Sequence, residues 1–105
     1  MVKVDVNPGA CGLKTSLRME VDGNQSLKID IQSECPQIMA MEADLTELAG
    51  YKECFEKYSK SMIYKIADKH CRHLACPVPT AIIKGMEVAY GFNVCKDVTI
   101  HIEKE

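Results

Sequence analysis

The chain reads as an α+β fold: a small antiparallel sheet made from an N-terminal strand, a hairpin and a C-terminal strand, covered on one face by three to four helices. Three observations predict it. Apolar residues alternate with polar ones near both ends of the chain, the period of half-buried strands. Between those ends they recur at three- and four-residue spacing, the period of helices. The resulting order of strands, then helices, then a strand segregates the helices onto one face of the sheet.

Each element has its own warrant. Valines at 2, 4 and 6 mark a first strand, which Asn7-Pro8-Gly9 breaks. Across 13–21 the odd positions are Leu13, Thr15, Leu17, Met19 and Val21, against Lys14, Ser16, Arg18 and Glu20. After Asp22-Gly23-Asn24 the alternation resumes with Leu27, Ile29 and Ile31 against Lys28, Asp30 and Gln32. That is a hairpin with one wet and one buried face. Cys35-Pro36 opens a helix with Ile38, Met41, Leu45 and Leu48 on one side, closed by Gly50. A second helix from about Tyr51 carries Tyr51, Cys54, Phe55 and Tyr58 on one side, and a third from about Ser61 to Lys69 turns Met62, Ile63 and Ile66 inward. Residues 70–77 fit neither period and read as loop. Pro79 opens a last helix with Ile82, Ile83, Met86 and Tyr90 inward and Gly91 as its stop. Val98, Ile100 and Ile102 then alternate with Thr99, His101 and Glu103 as the final strand. With no repeat, linker or low-complexity tract, residues 1–105 are expected to form one domain.

Composition narrows the function. Thirteen basic side chains against fifteen acidic ones, with a pI near 5.9, argue against nucleic acid as a partner. No apolar run approaches the roughly 18 residues of a membrane span, and the alternating start lacks the apolar stretch of a secretory signal. A cytoplasmic protein with no membrane partner is the expectation. There is no glycine-rich phosphate loop, no serine nucleophile motif and no H-E-x-x-H, so no enzyme is indicated. The six cysteines are the chemistry. In a reducing compartment, clustered cysteines bind metal or do redox work more often than they form bridges. Six further methionines, with no tryptophan, fit a reducing or anaerobic habitat.

Hairpin arithmetic brings two cysteines together. Facing residues with odd positions buried on both strands must have numbers that sum to an even value. A three-residue loop, 22–24, sets Cys11 directly opposite Cys35; a five-residue loop makes them diagonal neighbours. Directly opposed Cα atoms lie about 4.5–5.5 Å apart. The turn residues around Cys11 invite a bulge that would break the argument. Cys35 and Cys76 are each followed by proline and a helix, which predicts both as N-caps, where unpaired N–H groups and the helix dipole favour thiolate. Around Cys76 the chain is basic: residues 52–73 hold six Lys/Arg against three Asp/Glu, with His70 and His73 added. Cys71 and Cys76, four residues apart, can direct two ligands at one ion. Cys11, Cys35, Cys71 and Cys76 therefore form a candidate four-cysteine set for Zn²⁺ or an iron–sulfur cluster. His70 or His73 could replace a cysteine as ligand, although capping of the preceding helix or support of a ligand is the expected duty. Cys54 and Cys95 read as packing residues, His101 as solvent-facing, and Met39, Met41, Met62 and Met86 as core. Glu42, Asp44 and Glu47 read as a solvated helix face.

Cys76-Pro77-Val78-Pro79 resembles the CPxP motif of the TusA/SirA-like sulfur carriers, whose cysteine bears a persulfide. In that family the motif lies near the N-terminus, after a first strand, so the likeness reads as convergence on a helix start. Over nearly the whole chain, Asn7-Pro8-Gly9-Ala10-Cys11-Gly12, Ser33-Glu34-Cys35-Pro36, the 70–79 segment and Lys96-Asp97-Val98 resemble a family of short uncharacterised proteins from anaerobic bacteria and methanogenic archaea. The resemblance implies a compact α+β domain with signature cysteines matching positions 11, 35, 71 and 76, and no assigned activity. Three readings follow: a metal- or cluster-binding protein with an unknown protein partner, a thiol redox or sulfur carrier acting through Cys76 with Cys71 as resolving thiol, or a binding domain whose reduced cysteines are structural. An exposed sheet edge would also allow a homodimer.

Overall fold

The computed structural model describes residues 1–45 and 50–105. Three antiparallel strands in the order β1-β2-β3 form the sheet: β1 (Val2–Val6), β2 (Thr15–Val21) and β3 (Leu27–Ser33). Among the described residues the helices are α1 (Pro36–Met41), α2 (Gly50–Glu53), α3 (Met62–His70) and α4 (Val78–Ala89), with 3₁₀ turns at Glu42–Leu45 and Tyr58–Lys60. The mixed α+β architecture is the one the periodicities predict.

The alternation of the hairpin becomes its two faces. Leu17, Met19 and Ile31 are fully buried, while Arg18, Glu20, Lys28 and Asp30 are exposed. Thr15 pairs with Ser33 and Val21 with Leu27, so the connecting loop is the five-residue one, 22–26. Asp22 builds that loop: its Oδ1 accepts from the N–H groups of Asn24 and Ser26 at 2.8 and 3.0 Å, and Gln25 takes a left-handed φ of 64°. Against the sheet's apolar face lie Ile38 and Met41 of α1, Leu45, Ile63, Ile66 and Ala67 of α3, and Val78, Ile82 and Met86 of α4. Together they make one contiguous core. Helix α4 comes closest at Gly85, where a Cβ would stand 2.7 Å from the Met19 methyl carbon and 2.9 Å from a Val4 methyl. It ends as predicted at Gly91 (φ 78°), with Gly91 N–H bonded to Val88 O at 3.1 Å and Phe92 N–H to Glu87 O at 2.8 Å. This pair of bonds is the Schellman closure.

Several expectations are corrected. The helix expected up to Gly50 loses its α geometry after Met41 and tightens into the 3₁₀ turn Glu42–Leu45, and Leu48 and Glu47 lie outside the described residues. In α2 the Tyr90 ring packs onto Gly50 so closely that a Cβ would meet Tyr90 Cε2 at 2.9 Å. That contact sets the phase of α2: Gly50 and Glu53 turn inward, and Tyr51, Phe55 and Tyr58 are exposed rather than buried. Met39 and Met62 are likewise exposed in part, while Met41 and Met86 are core. The C-terminal strand does not form. Residues 91–105 are exposed throughout, and Val98, Ile100 and Ile102 have no strand beside them to complete a ladder.

Candidate functional site

The four candidate cysteines occupy connections at one end of the sheet. The ladder between β2 and β3 finishes at Thr15–Ser33, extended by one bond from Glu34 N–H to Lys14 O at 2.9 Å. Glu34 Oε1 answers by accepting from Lys14 N–H at 2.8 Å, a reciprocal link between the β1–β2 connection and the residue beside Cys35. Cys11 lies on that connection, three residues before Lys14, between Gly9 and Gly12, both with left-handed φ. The Gly12 N–H to Gly9 O bond of 3.0 Å folds this stretch into a turn, so the ladder does not reach Cys11 and the hairpin arithmetic stops short of it. Cys11 is exposed.

Cys35 is the N-cap of α1, with extended backbone and Pro36 at the first helical position, as its sequence requires. Cys71 is the C-cap of α3, its N–H bonded to Ala67 O at 2.7 Å. The next residue ties this corner to α1, because Arg72 N–H donates to Gln37 Oε1 at 2.9 Å. Cys76 is not an N-cap. Its N–H closes a turn onto His73 O, Pro77 takes the cap position with helical backbone angles, and Ala81 N–H bonds to Pro77 O. A second proline, Pro79, sits in the first turn of α4 and shifts the helix start one residue beyond the position expected from Pro77.

Cys35, Cys71 and Cys76 are all half-buried against the core. The Cys71 thiol donates to Met41 Sδ at 3.5 Å, a contact between two soft sulfurs. Burial pushes its pKa up, and the nearby Cys76 and Cys35 raise it further by charge, so these three sulfurs share one electrostatic neighbourhood. Among the described residues, no three His, Cys, Asp or Glu side chains already stand in a metal-holding arrangement.

The histidines and acids next to this corner are engaged differently from expectation. His70 Nε2 lies 2.6 Å from Asp44 Oδ2, with Lys69 Nζ 3.4 Å from the same oxygen. The His70 hydrogen bond, followed by the Lys69 contact, outweighs desolvation and holds the Asp44 carboxyl below its ordinary value. Asp44 is thus a partner of α3 and not merely part of a solvated face. Glu42 is also engaged, since its Oε2 accepts from Ile31 N–H at 2.9 Å. His73 is exposed. Cys54 stands apart, lining a cleft of about 260 Å³ with Glu53 and Glu87, and burial followed by those carboxylates pushes its pKa up to about 11. Cys95 is exposed on the segment after α4, which corrects its reading as a packing residue.

Glu53 was not marked by any motif. It is buried, and its Oε1 accepts from the Ser61 hydroxyl and from Ile63 N–H at 2.9 Å, at the first turn of α3. The legible half of this arrangement is Ser61, a serine before an apolar periodic run; the acid reaches it from a different helix.

The family model for a family of unknown function (DUF6951) matches residues 2–102, and the chain belongs to that family. No curated protein and no solved structure matches it.

Proposed function

We propose that this member of a family of unknown function is a small thiolate protein that holds one Zn²⁺ ion or one iron–sulfur cluster at the cysteine-bearing end of its sheet. Cys35, Cys71 and Cys76 would supply three ligands, and Cys11 on its glycine-flanked turn the fourth. The observation that carries this reading is the placement of Cys35, Cys71 and Cys76, all half-buried against one core at the N-cap of α1, the C-cap of α3 and the turn before α4. A thiol whose ionisation is opposed by neighbouring thiolates, as that of Cys71 is by Cys76 and Cys35, gains most from a cation placed among them, because the metal reverses the local cost of ionisation. The donor set is soft and sulfur-only, which selects zinc or iron–sulfur over magnesium or calcium. Four thiolates would close a zinc site against catalysis, whereas a cluster would make the protein an electron carrier or redox sensor. His70, held by Asp44 next to Cys71 in the chain, would support the ligand corner from outside it.

The test is metal and sulfide analysis with a visible spectrum on protein purified without oxygen, followed by single Cys→Ser variants. Stoichiometric zinc or a coloured iron–sulfur protein is expected. Serine at 11, 35, 71 or 76 should weaken metal retention and lower the thermal midpoint together, while Cys54→Ser and Cys95→Ser keep the metal. Metal-free protein in which Cys76 is the fastest thiol to alkylate would overturn the proposal in favour of sulfur transfer through Cys76.

A further inference from the structure

The segment after α4 has the side-chain pattern of a strand and no sheet to join. Val98, Ile100 and Ile102 are 58%, 74% and 86% exposed, and they alternate with Thr99, His101 and Glu103. A row of three β-branched apolar residues on one face costs free energy in water unless that face is covered. The family match runs through residue 102, so this segment belongs to the domain and is not an appendage.

The sheet, for its part, ends one strand short. Strand β1 pairs only with β2, leaving its outer edge open. Its Val2, Val4 and Val6 face the same apolar layer as Leu17, Met19 and Ile31, yet they are only half-buried, while the inner residues are sealed. A neighbour carrying three apolar residues at period two would extend the layer past β1 and cover those valines. Residues 98–102 carry that pattern.

The chain's course says whose edge it meets. Helix α4 finishes at the hairpin-loop end of the sheet, where Tyr90 Oη donates to Gln25 O at 3.0 Å. Beyond it, every residue from 91 to 105 is exposed, and the molecule measures 48 Å in one direction against 28 and 26 Å in the others. The segment therefore pairs with no strand of its own sheet. We propose that residues 97–103 add as a fourth strand to the outer edge of β1 in a second copy of this chain, and that the two copies exchange these segments reciprocally. A seven-residue strand spans about 23 Å, and two reciprocal additions bring the buried surface into the range of roughly 1,200–2,000 Å² that stable interfaces occupy. The exposed Phe55–Phe92 ring pair, 4.9 Å between centroids, continues the apolar surface at the root of the exchanged segment.

Sedimentation equilibrium combined with amide hydrogen exchange on the full chain tests this, using the wild type and Ile100→Pro. Residue 100 touches no core element, so the variant keeps the fold. The wild type should be a dimer whose amides at 97–103 lose protection on dilution, and Ile100→Pro should weaken association at least about 100-fold, since proline removes a ladder donor and clashes within the strand. A monomer with those amides protected would mean that the segment folds onto its own β1, and overturns the exchange. A monomer with them unprotected, or a dimer that survives Ile100→Pro, overturns it equally.

Discussion

Buried carboxylates are rare unless every oxygen has work, and Glu53 shows how a residue without a motif comes to matter. Its Oε1 receives the Ser61 hydroxyl and the Ile63 N–H while Ser61 Oγ accepts from Tyr64 N–H at 3.2 Å, so one acid and one serine satisfy two of the orphan donors that begin α3. Replacing Glu53 with alanine leaves the Ile63 N–H without an acceptor and opens a void. The expected loss is about 2–3 kcal/mol in urea unfolding, and Glu53→Gln should recover part of it because an amide oxygen still accepts. The sequence marked Ser61 as the start of a helix, but no local spacing links it to an acid eight residues earlier. The same limit applies to Asp44 and His70, which meet across 26 residues. Cys35 was legible because its role needs only the proline that follows it, whereas Cys76, followed by two prolines, had an ambiguous cap that only the bond from Ala81 N–H to Pro77 O resolves.

Among elements, the three strands of the sheet were legible, whereas the short helices were not and the expected C-terminal strand does not form, for a physical reason. Period two is visible within five residues, as in Val2–Val6, because each side chain commits to one of two faces. The phase of α2 depends on a partner remote in sequence, since Tyr90 packing onto Gly50 sets it from outside. The aromatic face expected on α2 therefore turned to solvent. Gly85 is the corresponding contact for α4. Alanine there would gain up to about 1 kcal/mol of helix propensity, but its methyl would meet both the flexible Met19 tip and the stiff Val4 branch at under 3 Å. Overpacking of this kind costs about 1–3 kcal/mol. Gly85→Ala should therefore be net destabilising by about 1 kcal/mol by denaturant titration, and Gly85→Ala combined with Val4→Ala should recover much of that loss by making room.

At the scale of the whole molecule, shifted groups shape stability at both extremes of pH, Cys54 and Asp44 among them. Cys54 is raised from 9.0 to about 11 in the folded state. The folded chain therefore binds more protons than the unfolded one between those values, and stability present below pH 9 falls as pH rises toward 11. Asp44 is lowered, so its contribution is full above its ordinary value of 3.8 and is lost as pH falls through the depressed one. Urea unfolding followed across pH should show both flanks, with Cys54→Ala flattening the alkaline side and Asp44→Asn the acid side. The bond between Glu42 and Ile31 has a larger reach than its one acceptor suggests. With Ile31 N–H held by that carboxylate and Ser33 N–H against Met39 Sδ at 3.3 Å, the outer amides at the end of β3 are already spoken for. That end of the β3 edge is thereby blunted against an added strand, while the outer edge of β1 stays open. Edge-to-edge addition of sheet to sheet, the in-plane growth by which soluble chains turn into fibres, then meets a blunted end at β3.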